Sequence, residues 1–219
     1  MREAANSVRG LSSAHLVEFF TEVQKRLSWL IRVSPLDPRE VELLCGLDIS
    51  YRGCEGAAAA VTWSTRTRSI TETATYRGSV ILPYIPGLLY SREAPLMLAA
   101  LKILETKPSL LLIDGHGLAH PRRAGLASIM GLLAETPSIG VAKSLLYGTV
   151  RAEDGVEYLE ADGEVVGIVL KSARGRKLYV SVGYRVDVQS ILGLVSLLGE
   201  DLAQPVREAH RLSKAALRV

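Results

Sequence analysis

Leu110-Leu111-Leu112-Ile113 is an unbroken apolar run that ends on Asp114. A strand with one wet face alternates polar and apolar residues, so this run describes a central strand covered on both faces. Helices must then lie above and below a sheet, and the flanking sequence supplies them. Upstream, Leu16, Phe19, Phe20, Val23, Leu27 and Leu30 recur at helical spacing and predict an amphipathic helix ending before Pro35-Leu36-Asp37-Pro38. From residue 41 the period becomes two, with Leu43, Cys45, Leu47 and Ile49 on one strand face and Leu44, Gly46, Asp48 and Ser50 on the other. Gly53 and Gly56 mark a turn, and residues 57–65 and 69–76 read as two further strands of an antiparallel meander. A helix at about 93–105, the strand 110–113, a helix near 125–135 and a strand at 139–143 follow. The order β-β-β-α-β-α-β predicts an α/β fold, a mixed sheet flanked by helices. Two more strands near 164–171 and 177–183 and two closing helices complete the expectation, and without a repeat or linker residues 1–219 read as one domain.

Composition narrows the function classes. Hydrophobic residues are 48% and charged residues 22% of the chain, which excludes disordered, collagen-like and coiled-coil proteins. The 26 Lys plus Arg against 23 Asp plus Glu leave a net charge of +3, too small to establish nucleic-acid binding by its sum, so the distribution of charge must decide. Cys45 and Cys54 form no CxxC pair and lack a neighbouring histidine, so zinc-ligand spacing is absent and a reduced, cytoplasmic setting is expected, with a single 45–54 bridge left open. No apolar stretch reaches the roughly 20 residues of a membrane span, and the start of the chain lacks a signal-peptide pattern.

Three carboxylates carry the chemistry. Asp48 sits within an apolar strand, where an ionised group is costly unless paired or metal-bound, although a turn cap at a strand end also explains it. Asp114 ends the buried strand, where open α/β sheets place their ligands, and it too could cap a loop. Glu93, two residues after the potential N-cap Ser91, falls in the first turn of its predicted helix, where a glutamate ordinarily complements the dipole. The topology lets all three converge, and acidic oxygens without a thiol or imidazole in the set suit Mg²⁺ or Mn²⁺. Such a site is the usual apparatus for phosphodiester hydrolysis.

Downstream of Asp114, Gly115 and Gly117 permit close backbone approach, His116 and His120 lie beside the carboxylate, and Arg122 and Arg123 could neutralise phosphates. The segment has neither the third glycine of a dinucleotide fingerprint nor a Walker A sequence. Lys143, ending the next strand, could reach a scissile phosphate or be an ordinary exposed lysine. Pro83 and Pro86 stiffen the loop around Tyr84 and Ile85, which would then either wedge between bases or dock into the core.

Taken together, GLDISY (46–51), PYIPGLL followed by SRE (83–93), DGHGLAHPRRAGLAS (114–128) and IGVAKSLLYG (139–148) resemble the endonuclease V family of deoxyinosine-specific repair nucleases, over about residues 43–183. The resemblance implies a ribonuclease-H-like fold, Asp48, Glu93 and Asp114 as metal-binding catalytic carboxylates, and His120 and Lys143 in catalysis or phosphate contact. It implies Tyr84, Ile85 and Pro86 as a strand-separating wedge and the glycine-rich loop of Gly115, His116 and Gly117 as a pocket for a turned-out base. The implied reaction is Mg²⁺-dependent hydrolysis, with Mn²⁺ as a substitute, of the second phosphodiester bond 3′ to deoxyinosine, leaving a 3′ hydroxyl and a 5′ phosphate. The implied partner is DNA carrying deaminated bases, bound by a monomer away from membranes. An inosine-specific ribonuclease and a non-cleaving binder of deaminated nucleic acid are the alternatives.

One segment departs from the family pattern. Family members often carry Val-Ser-Pro-Gly-His where this chain reads Val180-Ser181-Val182-Gly183-Tyr184. A phenol with a pKa near 10 is a poor base. Either His116 or His120 compensates, metal activation removes the need for a base, or the enzyme is slower.

Overall fold

A computed structural model describes residues 13–80, 82–171 and 175–218. Helix α1 (Ser13–Ser28) precedes a meander of β1 (Leu43–Arg52), β2 (Glu55–Ser64) and β3 (Ser69–Ser79). Then come α2 (Leu89–Leu101), β4 (Leu110–Ile113), α3 (Leu126–Leu133) and β5 (Ser138–Ala142). Four antiparallel strands follow, β6 (Thr149–Glu153), β7 (Val156–Ala161), β8 (Glu164–Lys171) and β9 (Lys177–Tyr184), before α4 (Val188–Leu198) and α5 (Gln204–Ala216). All nine strands form one sheet in the order β3-β2-β1-β4-β5-β9-β8-β7-β6. Only the β1–β4 and β4–β5 pairs are parallel, so the sheet is mixed as expected.

β4 is covered on both faces, and its four side chains have 0% exposure. Leu110 and Leu112 join Ile191, Leu194 and Val206 of α4 and α5 in one core, while Leu111 and Ile113 join Met97, Ile129 and Met130 of α2 and α3 in the other. Phe20, Val23 and Leu27 of α1 pack against this second core. Burying each such side chain contributes about 1.5–3 kcal/mol, which fixes β4 as the centre of the molecule.

Two strands escape the sequence reading. β6 is exposed along its length and β7 only partly buried, so neither shows the alternation of a half-buried strand. Their signal lies in the turns: Asp154-Gly155 and Asp162-Gly163 have φ of 49° and 79°, and 52° and 79°, the left-handed pair of a two-residue hairpin.

The helix expected at 93–105 begins four residues earlier. Ser91 does not cap it; its Oγ donates to the Leu88 carbonyl from inside the helix at 2.8 Å. Glu93 therefore lies in the second turn, and the first turn holds no acidic residue for the dipole to favour. Both cysteines are free, Cys45 buried in β1 and Cys54 exposed in the following turn, so the 45–54 bridge is not formed. Among the described residues no helix is long and apolar enough to cross a membrane.

Candidate active site

Parallel pairing aligns two carboxylates. Leu47 of β1 is in register with Ile113 of β4, and the Asp114 N–H donates to the Leu47 carbonyl at 3.0 Å, so Asp114, just past the end of β4, stands level with Asp48 of β1. Gly46 then decides what lies over them. A Cβ there would fall 2.1 Å from the Pro205 carbonyl carbon, so only glycine lets the start of α5 rest directly on β1. One and two turns along α5, His210 Nδ1 and Ser213 Oγ reach Asp48 Oδ2 at 3.0 and 2.9 Å. Ligand atoms of Asp48, Asp114 and His210 all lie within 4.8 Å of one another.

Glu93 approaches from the α2 side. Its Oε1 accepts from the Tyr51 hydroxyl at 2.8 Å, and it stands just outside the compact group of three. Burial is the chief cause that pushes its carboxyl up to about 8, with Asp48 and Asp114 adding repulsion against the opposing bond from Tyr51. Burial, and then Asp114, also raise Asp48 above the usual carboxylate range, against the bonds from Ser213 and His210. Lys143 Nζ donates to Asp114 Oδ2 at 2.6 Å and brings a cation to the edge of the cluster.

Three carboxylates held this close repel one another, and that strain on ionisation is what a divalent cation relieves. The donor set fits one. Carboxylate oxygens suit Mg²⁺ or Mn²⁺, and the His210 nitrogen makes Mn²⁺ a good ligand match. Asp48, Asp114 and His210 would hold the ion, with Glu93 beside it. His210 is the functional residue that sequence reasoning missed. Its one signal is a polar residue at the edge of a stripe of small and apolar residues, Val206, Ala209, Ser213 and Leu217, a pattern shared by many solvated helices.

A cavity of about 300 Å³ adjoins the acidic group, with Asp114 in its wall and Gly115, His116, Lys143 and Tyr84 among its lining. Tyr84 is 65% exposed, Pro86 is exposed, and Ile85 packs partly against the core, so the loop docks through Ile85 and leaves Tyr84 facing solvent. The loop after Asp114 is pressed against the sheet: a Cβ on Gly117 would lie 1.9 Å from the Val182 carbonyl oxygen. His116 Nε2–H donates to the Ser144 carbonyl at 2.9 Å, leaving Nδ1 a buried acceptor without a partner.

His120 has both nitrogens engaged. Nε2–H donates to the Gly87 carbonyl at 3.0 Å and Nδ1 accepts from the Arg122 N–H at 3.1 Å, while burial and then Arg122 lower its pKa to about 4. In this arrangement it is a neutral strut between the loop of Tyr84 and the loop after Asp114. Arg122 braces the same junction through Gly87 O at 2.6 Å and Gln24 Oε1 at 2.5 Å, and Arg123 pairs with Glu164 at 2.6 Å. Both guanidiniums thus have acceptors within the fold.

Tyr184 lies at the other end of the sheet. It pairs with Ser138, the first residue of β5, whereas Lys143 follows the last, five residues or about 16 Å along the strand. Buried against Gly131 of α3, it takes no part at the carboxylates. The departure at Tyr184 therefore raises no question about a base.

Comparison with known proteins agrees with this geometry. The family model described as Endonuclease V matches residues 25–211. The Endonuclease V of Desulfurococcus amylolyticus is 38% identical over 183 residues, covering 82% of this chain and 84% of its own. The crystal structure of Endonuclease V from Streptomyces avermitilis has a TM-score of 0.84 at 34% identity, covering 92% of each chain. Endonuclease V of Ciona intestinalis, in complex with a 24mer DNA containing an inosine followed by a ribo-adenosine, shares the fold with a TM-score of 0.82 at 23% identity, covering 93% of this chain and 98% of its own. A family match across residues 25–211, on a fold that brings two aspartates and a histidine together, shows that the chain belongs to the endonuclease V family.

Proposed function

We propose that the protein is a DNA-repair endonuclease that hydrolyses the second phosphodiester bond 3′ to deoxyinosine, using Mg²⁺ or Mn²⁺ and leaving a 3′ hydroxyl and a 5′ phosphate. The observation that carries this reading is the sharing of Asp114 between the acidic cluster and the base-sized cavity. A base lodged in the cavity brings the strand that carries it next to the carboxylates. The relative from Ciona intestinalis holds inosine-containing DNA on the same fold.

The lesion eases its own recognition. Deamination weakens pairing with thymine, so turning hypoxanthine out costs less than extracting adenine. It also converts the purine N1 from an acceptor to an N–H donor, which changes the Watson–Crick edge that a pocket reads. Tyr84, Ile85 and Pro86 would fill the place the base leaves, held by the Gly87–His120 strut. Gly115 offers only backbone to the cavity wall, and Gly117 lets the loop lie close against the sheet. When bound, a divalent cation supplies Lewis-acid activation of the phosphodiester and of water. Asp48, Asp114 and His210 would hold it, Glu93 would add charge, and Lys143, bonded to Asp114, would turn to a phosphate oxygen. The free, exposed Cys54 suits the reducing cytoplasm where such a nick would be repaired.

The test is denaturing-gel cleavage of an end-labelled duplex with one deoxyinosine, in Mg²⁺ or EDTA, beside undamaged and ribo-inosine strands. A metal-dependent nick one nucleotide beyond the lesion, reduced at least about 10³-fold by Asp48→Asn, is expected. Cleavage of the ribo-inosine strand alone would transfer the reading to RNA, and binding without any product would leave a non-cleaving module.

A further inference from the structure

With Arg122 and Arg123 tied to internal partners, affinity for a phosphate backbone needs other cations. α5 and the turn after it supply them. Arg207, Arg211, Lys214 and Arg218 recur at intervals of four, three and four, which lines them along one stripe. The first two are engaged, Arg207 with the Glu200 carbonyl at 2.7 Å and Arg211 with Glu208 at 2.8 Å. Lys214 and Arg218 are exposed, and among the described residues neither forms an ion pair. With Arg52 they line a groove of about 350 Å³ whose other walls are Ser50, Tyr51 and Leu217. Arg52 has only a loose 3.6 Å contact with Glu55, which is held more closely by Arg77 at 2.8 Å.

The groove is wired to the acidic cluster. Ser50 Oγ lies 2.8 Å from Ser213 Oγ, the donor to Asp48, and Tyr51 is the donor to Glu93. Asp48, Ser50 and Arg52 share one face of β1 and span about 13 Å. A phosphodiester is repelled by three clustered carboxylates, and three cations along an open groove at their border offset that repulsion. We propose that Arg52, Lys214 and Arg218 form a phosphate-binding groove that holds the sugar-phosphate backbone of the cleaved strand beside the scissile bond. That the strand is DNA rests on the function proposed above; the groove's preference for a polyanion does not.

The experiment uses the full chain and a labelled duplex lacking inosine, with Mg²⁺ present, so that backbone binding is measured without cutting. Anisotropy titrations between about 50 and 200 mM salt give the slope of log K against log salt, which changes by about 0.9 for each phosphate contact. Lys214→Gln/Arg218→Gln should lower the slope by nearly 2, and Lys214→Arg/Arg218→Lys should restore it. Arg39→Gln, which removes an exposed cation at the other end of β1 from Arg52, should leave it unchanged. With a deoxyinosine duplex the glutamine pair should raise KM and keep kcat near wild type. An unchanged slope in that pair, or an equal drop with Arg39→Gln, overturns the groove. A wild-type protein that shows the slope difference but does not cut at deoxyinosine overturns the proposed reaction and supports the groove.

Discussion

Glu93→Gln should stabilise the metal-free protein, and the size of the effect should depend on pH. The native state holds the Glu93 proton up to about pH 8, whereas the unfolded chain releases it near the ordinary 4.5. Between those values the folded state binds more protons, so stability present below pH 4.5 is lost as pH rises towards 8. Each tenfold change in protonation is worth about 1.4 kcal/mol, which gives a loss of about 3 kcal/mol at pH 7 and under about 1 kcal/mol at pH 5. Asp48, also raised by burial and by Asp114, adds to the loss in the same direction. Glutamine keeps the shape and can still accept from Tyr51, but carries no charge to bury. Thermal unfolding in EDTA should therefore show the variant melting about 6–12 °C above wild type at pH 7, with the gap closing by pH 5. Mg²⁺ should narrow the gap at pH 7, because the cation stabilises the ionised wild-type cluster more. Parallel pH profiles for the two proteins in EDTA would refute the reasoning, since a proton not retained in the fold cannot make stability fall with pH.

Two further substitutions separate the ends of the sheet. Tyr84→Ala should reduce cutting of a deoxyinosine duplex by about tenfold and of the same single strand far less, because only the duplex requires a wedge; equal losses in a side-by-side gel assay would remove that role. Tyr184→His should cost about 1–3 kcal/mol in urea unfolding, as a buried ring is replaced by a smaller polar one, while kcat stays within about twofold of wild type. A large gain in kcat would return this position to the chemistry.

The parts of the molecule legible in the sequence are those set by a side chain's exposure to water. The two-residue period of β1 placed Asp48 within a strand and the apolar run of β4 placed Asp114 at a strand end, and a parallel pairing aligned them. The β6–β7 hairpin was illegible by period, because its outer strand is wet on both faces, although two Asp-Gly pairs mark its turns. His210 was illegible for another reason. Its partner Asp48 is 162 residues away, and nothing local distinguishes a histidine over a carboxylate from one facing solvent. The same distance effect hides the arginines' partners: Arg122 and Arg123 follow Asp114 in sequence and meet Gly87, Gln24 and Glu164 in space. A cation's availability to a phosphate depends on whether a fold-distant acceptor has already taken it, and sequence neighbours do not report that. On this criterion Lys214 and Arg218 outrank Arg122 and Arg123, and they lie just beyond His210 and Ser213 in the chain. The Gly46–Pro205 contact that seats α5 on β1 thus positions both the cluster's imidazole and Lys214 of the proposed groove. Metal retention and backbone affinity should for that reason fail together whenever α5 is lifted from the sheet.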